Sequence, residues 1–202
     1  MPGRELGHRA ADHGRLVFDG VRVPLGNRVG PERGGFGVAL RALERGRLSV
    51  AAGAVGIQAA CLDACVAFAR TRRQFGARVG DFQQVGAALA DLKTALEASR
   101  LLVHHAARRA DRGDEGAGTD ASAAKLFATE AALAAATRAV RLHGARGYSD
   151  ALPLERHYRD AVALTVYEGT SEIQRLILSR DLLGRDDAPP AKARAASGGN
   201  AR

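Results

Sequence analysis

Residues 35–68, GFGVALRALERGRLSVAAGAVGIQAACLDACVAF, decide the architecture of this 202-residue chain. Leu48, Ala52, Val55, Ala59, Leu62 and Val66 recur at alternating steps of four and three, the spacing of a buried helix seam. Small residues crowd the same stretch at Ala51, Ala52, Gly53, Ala54 and Gly56, so a neighbouring helix could approach closely. The pattern predicts one long helix from Phe36 to about Arg73, stopped before Gly76. Composition agrees, because 46% hydrophobic content with only 4% aromatic and no Trp favours close-packed Ala- and Leu-rich helices over a sandwich.

Downstream, a second seam runs Val85, Leu89, Leu92, Leu96, Ser99, Val103 and Ala106, and stops at the polar loop DRGDEGAGTD (111–120). That loop is no calcium site: Gly113 and Glu115 fall at its third and fifth positions and Ser122 at its twelfth. A third helix is expected over about Ala121–Leu142, with Leu126, Leu133 and Val140 a heptad apart, ended by HGARG (143–147). Pro153 suits the first turn of a short helix reaching about Val162. Ser171 with Gln174 reads as a capping box opening a last helix, with Ile173, Leu176 and Ile177 facing inward. Residues after Gly184, DDAPPAKARAASGGNAR, read as a disordered tail.

Upstream, GRLVFDGVRVPL (14–25) is different in kind. Leu16, Val17, Phe18, Val21 and Val23 read as extended segments around Asp19-Gly20, stopped by Pro24. An isolated hairpin is marginal in water, so this piece reads as the end of a sheet. Gly30 to Gly37 is a turn-rich link.

The formal charge of +8 raises nucleic acid as a partner. The 27 Arg and three Lys are scattered among acids, aromatic platforms are scarce, and no nucleic-acid motif is present, so a solvated Arg-rich surface is the better reading. No apolar run approaches the ~18 residues of a membrane span. The first residues, MPGRELGHRAADHG, lack a signal core, so a soluble, cytoplasmic chain without membrane partner is expected. Cys61 and Cys65, four apart in an apolar helix, read as small buried side chains, and no metal is expected.

Three stretches exceed what a bundle requires. RTRRQFGARVGDFQQ (70–84) concentrates arginines beside Phe75-Gly76 and supplies Gln83 at the next helix start. Guanidinium and backbone donors there could hold a diphosphate, or the arginines could simply answer a helix C-terminal dipole. HGARG permits close backbone approach to a ligand, or merely a turn. YEGTSEIQR (167–175) sets Glu168 just before a helix, as a dipole partner or as a base on a rigid turn.

Taken in series, "LVFDGVRVP" (16–24), "GFGVALRALERGRLSVAAGAVG" (35–56), "RRQFG" (72–76) with Gln83, "RDA" (159–161) and "YEGTSEIQR" resemble the C-terminal part of the acyl-CoA dehydrogenases over roughly residues 5–184. The resemblance implies an all-α fold, an antiparallel up-and-down helical bundle over 35–184. It also makes residues 1–34 a short β remnant of the family's middle β-domain plus a linker, and 185–202 the tail. It implies α,β-dehydrogenation of an acyl-CoA thioester to the 2-enoyl-CoA with FAD as cofactor, and Glu168 at the position of the catalytic base. Some members carry the base at the position held here by Gly46, which cannot serve. Tyr167 and Arg47 match positions near bound substrate, with Glu44 preceding Arg47 on the same face. Arg72, Gln74, Phe75 and Gln83 match positions that contact FAD across a subunit boundary. Thr170 and Glu172 match positions near the flavin's diphosphate and ribityl region. Arg141-Leu-His-Gly144-Ala145 stands where the family usually has Gln-x-x-Gly-Gly, a departure that adds a charge at Arg141 and a methyl at Ala145 among cofactor-binding positions.

The family's N-terminal helical domain and most of its middle domain have no counterpart here. The resemblance therefore implies a homo-oligomer, dimer or tetramer, or pairing with a chain that supplies those domains. Electron-transfer flavoprotein is the implied electron acceptor. A rival reading is a non-catalytic assembly or regulatory subunit that retains the tetramer-forming bundle.

Overall fold

The structure is a computed structural model, described over residues 5–11 and 14–184. After a single 3-10 turn at Leu25–Asn27, its first α-helix, α1 (Gly35–Thr71), ends where the backbone turns extended at Arg72. A tight hairpin follows, β1 (Arg73–Gln74) against β2 (Ala77–Arg78), with Arg73 opposite Arg78. Phe75 and Gly76 take φ of 50° and 79°, the left-handed pair that matches the strand twist of a two-residue hairpin. Next come α2 (Gln83–Arg112), α3 (Ala117–His143), α4 (Leu154–Leu164) and α5 (Ser171–Leu182).

Side-chain pairings set the directions. Arg47 bonds Ser122, Gln58 bonds the carbonyl of Ala128, and Phe68 stacks on His143, so α1 and α3 run parallel. Gln58 also meets Ser99, while Cys61 and Cys65 pack with Leu92 and Leu96, and Val50 and Ala54 with Ala106. Helix α2 therefore runs opposite to both. Leu154 belongs to the buried cluster around Ala139, and Leu164 to that around Ala128, which turns α4 antiparallel to α3. The first four helices thus alternate in direction, as expected for an up-and-down bundle, with α3 packed against all four others.

Being central explains α3's composition. Seven alanines, Ala121, Ala124, Ala128, Ala132, Ala135, Ala136 and Ala139, make up most of its buried face, with Ser122, Lys125, Thr129 and His143 among them. The expected heptad of Leu126, Leu133 and Val140 is only half-buried on its flanks. The same displacement occurs on α1, whose buried stripe is Ala51, Ala54, Gln58, Cys61, Cys65 and Ala69 rather than the Leu48–Val66 series. Of that series only Leu62 is buried, and Ala52 is exposed. Helices that approach closely need small residues at the line of contact, and the larger aliphatics fill the grooves beside it. On α2 the expected seam holds, with Leu92, Leu96, Ser99 and Ala106 buried.

At the centre, Gln58 Nε2 donates to Ser99 Oγ at 2.9 Å and to Ala128 O at 3.0 Å, and Ser99 Oγ donates back to Gln58 Oε1. This buried trio ties three helices at one level and sets their register. Cys61 and Cys65 are free and buried, and burial pushes their thiols up to about 12 and about 11.

Other expectations need correction. The polar loop shrinks to 113–116, because Arg109 bonds both Asp114 and Asp120 and draws residues 117–120 into α3. Residues 14–24 form no strand, and Leu16, Val17, Phe18, Val21 and Val23 are exposed, since an edge without a partner strand has no ladder to make. On α5 the buried residues are Ser171 and Gln174, whereas Ile173 and Leu176 are exposed. Helix α1 also has the length and apolar character of a span, with a mean hydropathy of 1.7 over 18 residues, contrary to the expectation that no run comes close. Its small-residue face is covered by the other helices, as in the core helix of a bundle. The expected tail falls outside the described residues.

Candidate active site

Helix α4 ends at Leu164, and the chain then folds back on itself. The amide of Ser171 donates to Thr165 O at 3.0 Å, closing the loop that carries Tyr167, Glu168, Gly169 and Thr170. Inside it, Glu168 and Gly169 have φ of 54° and 87°. A left-handed glutamate costs on the order of 1 kcal/mol and persists only where its surroundings over-determine it.

The restraint is visible on the carbonyl side. Gln174 Nε2 donates to Glu168 O at 3.1 Å and Gly169 O at 2.9 Å. Lys125 Nζ donates to Gly169 O at 2.8 Å, reaching over from α3. A Cβ at Gly169 would lie 2.7 Å from Gln174 Nε2, so both its φ and the space demand glycine. The expected capping box is therefore replaced. Thr170 is the N-cap of α5, its hydroxyl accepting from the Ile173 amide at 3.4 Å, and Gln174 clamps the turn instead.

The clamp aims the Glu168 side chain at α1. A Cβ built on Gly46 would meet Glu168 Oε2, Cδ and Oε1 at 2.7, 2.8 and 2.9 Å. Gly46 thus makes the space that the carboxylate occupies. Oε2 is buried and, among the described residues, has no hydrogen-bond partner. A buried carboxylate oxygen left unpaired is costly, and one aimed into a gap is poised to accept a proton. Glu172 already occupies the first turn of α5, which lessens the need for Glu168 as a dipole partner. Contacts with its own backbone and with Thr170 hold the Glu172 carboxyl below the usual range.

Around Glu168, Arg47 donates from Nη1 to Ser122 Oγ at 3.2 Å, while its buried Nε has no partner among the described residues. Glu44 is exposed one turn earlier, facing Gly118 of α3. Tyr167 is partly exposed beside Glu168, and the ring of His8 packs edge-on against it at 5.5 Å. Burial pushes the Tyr167 phenol up, with Glu168 and Asp160 acting in the same direction.

The remaining expected cofactor residues gather at the other end of α1. Arg72, Gln74, Gly144 and Ala145 line one open cleft of about 310 Å³ with Phe68, His143 and Arg146. His143 is fixed by its Nδ1, 2.9 Å from Ala139 O, and by stacking on Phe68 at 4.3 Å. A guanidinium pair, an amide and a glycine turn form a donor set suited to a diphosphate. Phe75 stands fully exposed at the hairpin tip and Gln83 is exposed at the start of α2. Arg141 points elsewhere, into a groove of about 580 Å³ with Tyr148 and Tyr158, and Arg146 takes its expected place beside Gly144.

Gly46 and Arg72 are about 40 Å apart along α1, at ~1.5 Å rise per residue. One chain therefore carries the expected site residues in two separate groups. The residues missed from the sequence are Lys125, the clamping role of Gln174, and His143 with Arg146. For Lys125 a signal existed, a single lysine in the apolar run ASAAKLFA of an otherwise arginine-rich chain.

Residues 33–183 match the family model described as acyl-CoA dehydrogenase, C-terminal domain. The acyl-CoA dehydrogenase of Bacillus subtilis is 45% identical over 181 residues, 90% of this chain and 48% of that protein. The caffeyl-CoA reductase-Etf complex subunit CarC of Acetobacterium woodii is 40% identical over 168 residues, covering 83% and 44%. The solved structure of butyryl-CoA dehydrogenase from Megasphaera elsdenii superposes with a TM-score of 0.86 at 39% identity, covering 89% of this chain and 46% of that one. The chain spans about half the length of the curated relatives it matches.

Proposed function

The chain belongs to the acyl-CoA dehydrogenase family, and on that premise we propose that it is the C-terminal portion of an FAD-dependent enzyme that converts an acyl-CoA thioester to its 2-enoyl-CoA. The observation that carries this reading is the Glu168 carboxylate, held on a strained left-handed turn with an unpartnered buried oxygen over Gly46. An α-proton of a thioester is weakly acidic, so its removal needs a carboxylate positioned within hydrogen-bond reach and shielded from water.

FAD, when bound, supplies the acceptor for the hydride that leaves the β-carbon. Glu168 Oε2 takes the α-proton, while the clamp on its backbone keeps the carboxylate in place. Tyr167 and Arg47, flanking the turn, contact the substrate, with Glu44 at the outer edge. Thr170 and Glu172, at the start of α5, would hold the flavin's diphosphate and ribityl region. Arg72, Gln74, Gly144 and Ala145, with Phe75 and Gln83 on the adjoining hairpin and helix, would hold the diphosphate end of a second flavin. Because the two groups, each a half-site, are so far apart on one chain, each flavin would be completed by two chains, and the active form would be a homo-oligomer or a pairing with a chain that supplies the rest of the fold. The relative named as a subunit of an Etf complex supports electron-transfer flavoprotein as a redox partner, and in the dehydrogenation direction it would take up the electrons.

The test is Glu168→Gln in the flavin-bearing assembly, this chain joined by the domains that complete the fold. Flavin reduction by acyl-CoA falls about a hundred- to ten-thousand-fold with flavin content unchanged. Reduction at the parent rate would return Glu168 to the role of helix-dipole partner.

A further inference from the structure

Lys125 is one of only three lysines beside 27 arginines, and its side chain is wholly buried. Its companions on α3 are Ala121, Ser122, Ala124, Ala128 and Thr129, all buried too. Withdrawing an ammonium from water costs several kcal/mol unless strong partners offset it. The reason for its presence must lie in what Nζ touches. That contact is Gly169 O, at 2.8 Å and 44 residues away in sequence. As a plain hydrogen bond it duplicates Gln174, whose Nε2 lies 2.9 Å from the same oxygen.

What Gln174 does not bring is charge. Glu130 on α3, Glu168 on the turn and Glu172 on α5 all act on the Lys125 ammonium favourably, and Arg47 on α1 opposes them. Burial, the largest influence, pushes its pKa below the ordinary lysine value. A cation thus stands against the turn, at its Gly169 carbonyl.

We propose that Lys125 is a positioning residue for Glu168: its ammonium pins the Gly169 carbonyl and so holds the left-handed Glu168–Gly169 pair that aims the carboxylate at Gly46. Lys125 touches neither substrate nor reacting atoms and acts through Glu168. The inference rests on the reading of Glu168 as the base.

The test combines two readouts. In the full chain, Lys125→Met speeds hydrogen exchange of the Ser171 amide, which closes the turn, while amides around Gln58 in α1 keep parent protection. In the flavin-bearing assembly, Lys125→Met slows flavin reduction by on the order of a hundredfold, with flavin content and half-saturating acyl-CoA unchanged. Lys125→Arg recovers much of the rate. Adding Lys125→Met to Glu168→Gln slows the reaction no further, as expected of residues acting as a unit. If Lys125→Met fails to fold, Lys125→Gln gives the same two readouts. Exchange of Ser171 at the parent rate, or additive losses in the double variant, overturns the proposal. Parent-rate reduction by Glu168→Gln alone removes the base reading instead, and the Ser171 exchange then decides the Lys125 contact by itself.

Discussion

The carboxylate of Glu168 rests against the bare Cα of Gly46, where a methyl group would meet Oε2 at 2.7 Å and Cδ at 2.8 Å. The two residues lie far apart in sequence, and neither position makes sense without the other. An α-helix interior is a poor place for glycine, at a cost of roughly 0.5–1 kcal/mol relative to alanine. Gly46 accepts that cost in the middle of α1, and the carboxylate fills the space.

Gly46→Ala should therefore separate stability from activity. The added methyl meets only the far end of a flexible side chain, so the fold tolerates it and gains up to ~1 kcal/mol of helix stability. The Glu168 carboxylate must move away. Urea unfolding should show an unchanged or higher midpoint, while flavin reduction in the assembly drops roughly ten- to a hundredfold.

Arg72→Ala should act on the other half-site alone. Losing a charge-assisted bond to a diphosphate weakens FAD binding by ~1.5–3 kcal/mol. Arg72 stands at the far end of α1 from Glu168, so the rate of reduction per bound flavin should stay at the parent value. Flavin titration with stopped-flow reduction reads both quantities.

The Gln58–Ser99 pair should behave as a unit. Ser99→Ala removes a hydroxyl that both donates to and accepts from Gln58, leaving the buried Gln58 Oε1 without its donor at a cost of about 1–3 kcal/mol, while Nε2 keeps Ala128 O. Gln58→Leu should cost a similar amount. The double variant should be less destabilised than the two losses summed, a coupling that denaturant unfolding of all four forms measures directly.

Alkaline pH should destabilise the fold through Cys61 and Cys65. Their thiols titrate at about 12 and about 11 when folded, above the ordinary value of 9.0, so the folded chain holds these protons more tightly than the unfolded chain. Their contribution is full below about pH 9 and is lost as pH rises through 11 to 12. The downward slope of stability between about pH 9 and about pH 11 should be shallower in Cys61→Ala/Cys65→Ala than in the parent. Both thiols should also resist thiol reagents until the chain unfolds.

Much of the molecule was legible in its residues. Helical periodicity placed α1 to within a few residues at both ends, and the α2 seam was read correctly because that helix buries one broad aliphatic stripe. The motif YEGTSEIQR marked Glu168 before any coordinate. The buried stripes of α1 and α3 were misread, since periodicity weighs side chains by hydrophobicity. At a close helix crossing the winning property is small size, which Ala and Cys supply and Leu does not.

Local sequence, then, determined the helices and most of the turns, because spacing, capping and glycine placement act within a few residues, while the candidate base was named by the resemblance that YEGTSEIQR carries. Tertiary structure alone decided that Gly46 makes room for Glu168, that Lys125 and Gln174 grip its turn, and that Arg146 rather than Arg141 joins the cleft of Arg72. Each of those depends on which face of one helix meets another. That choice follows from packing the whole bundle at once, and no window of sequence contains it.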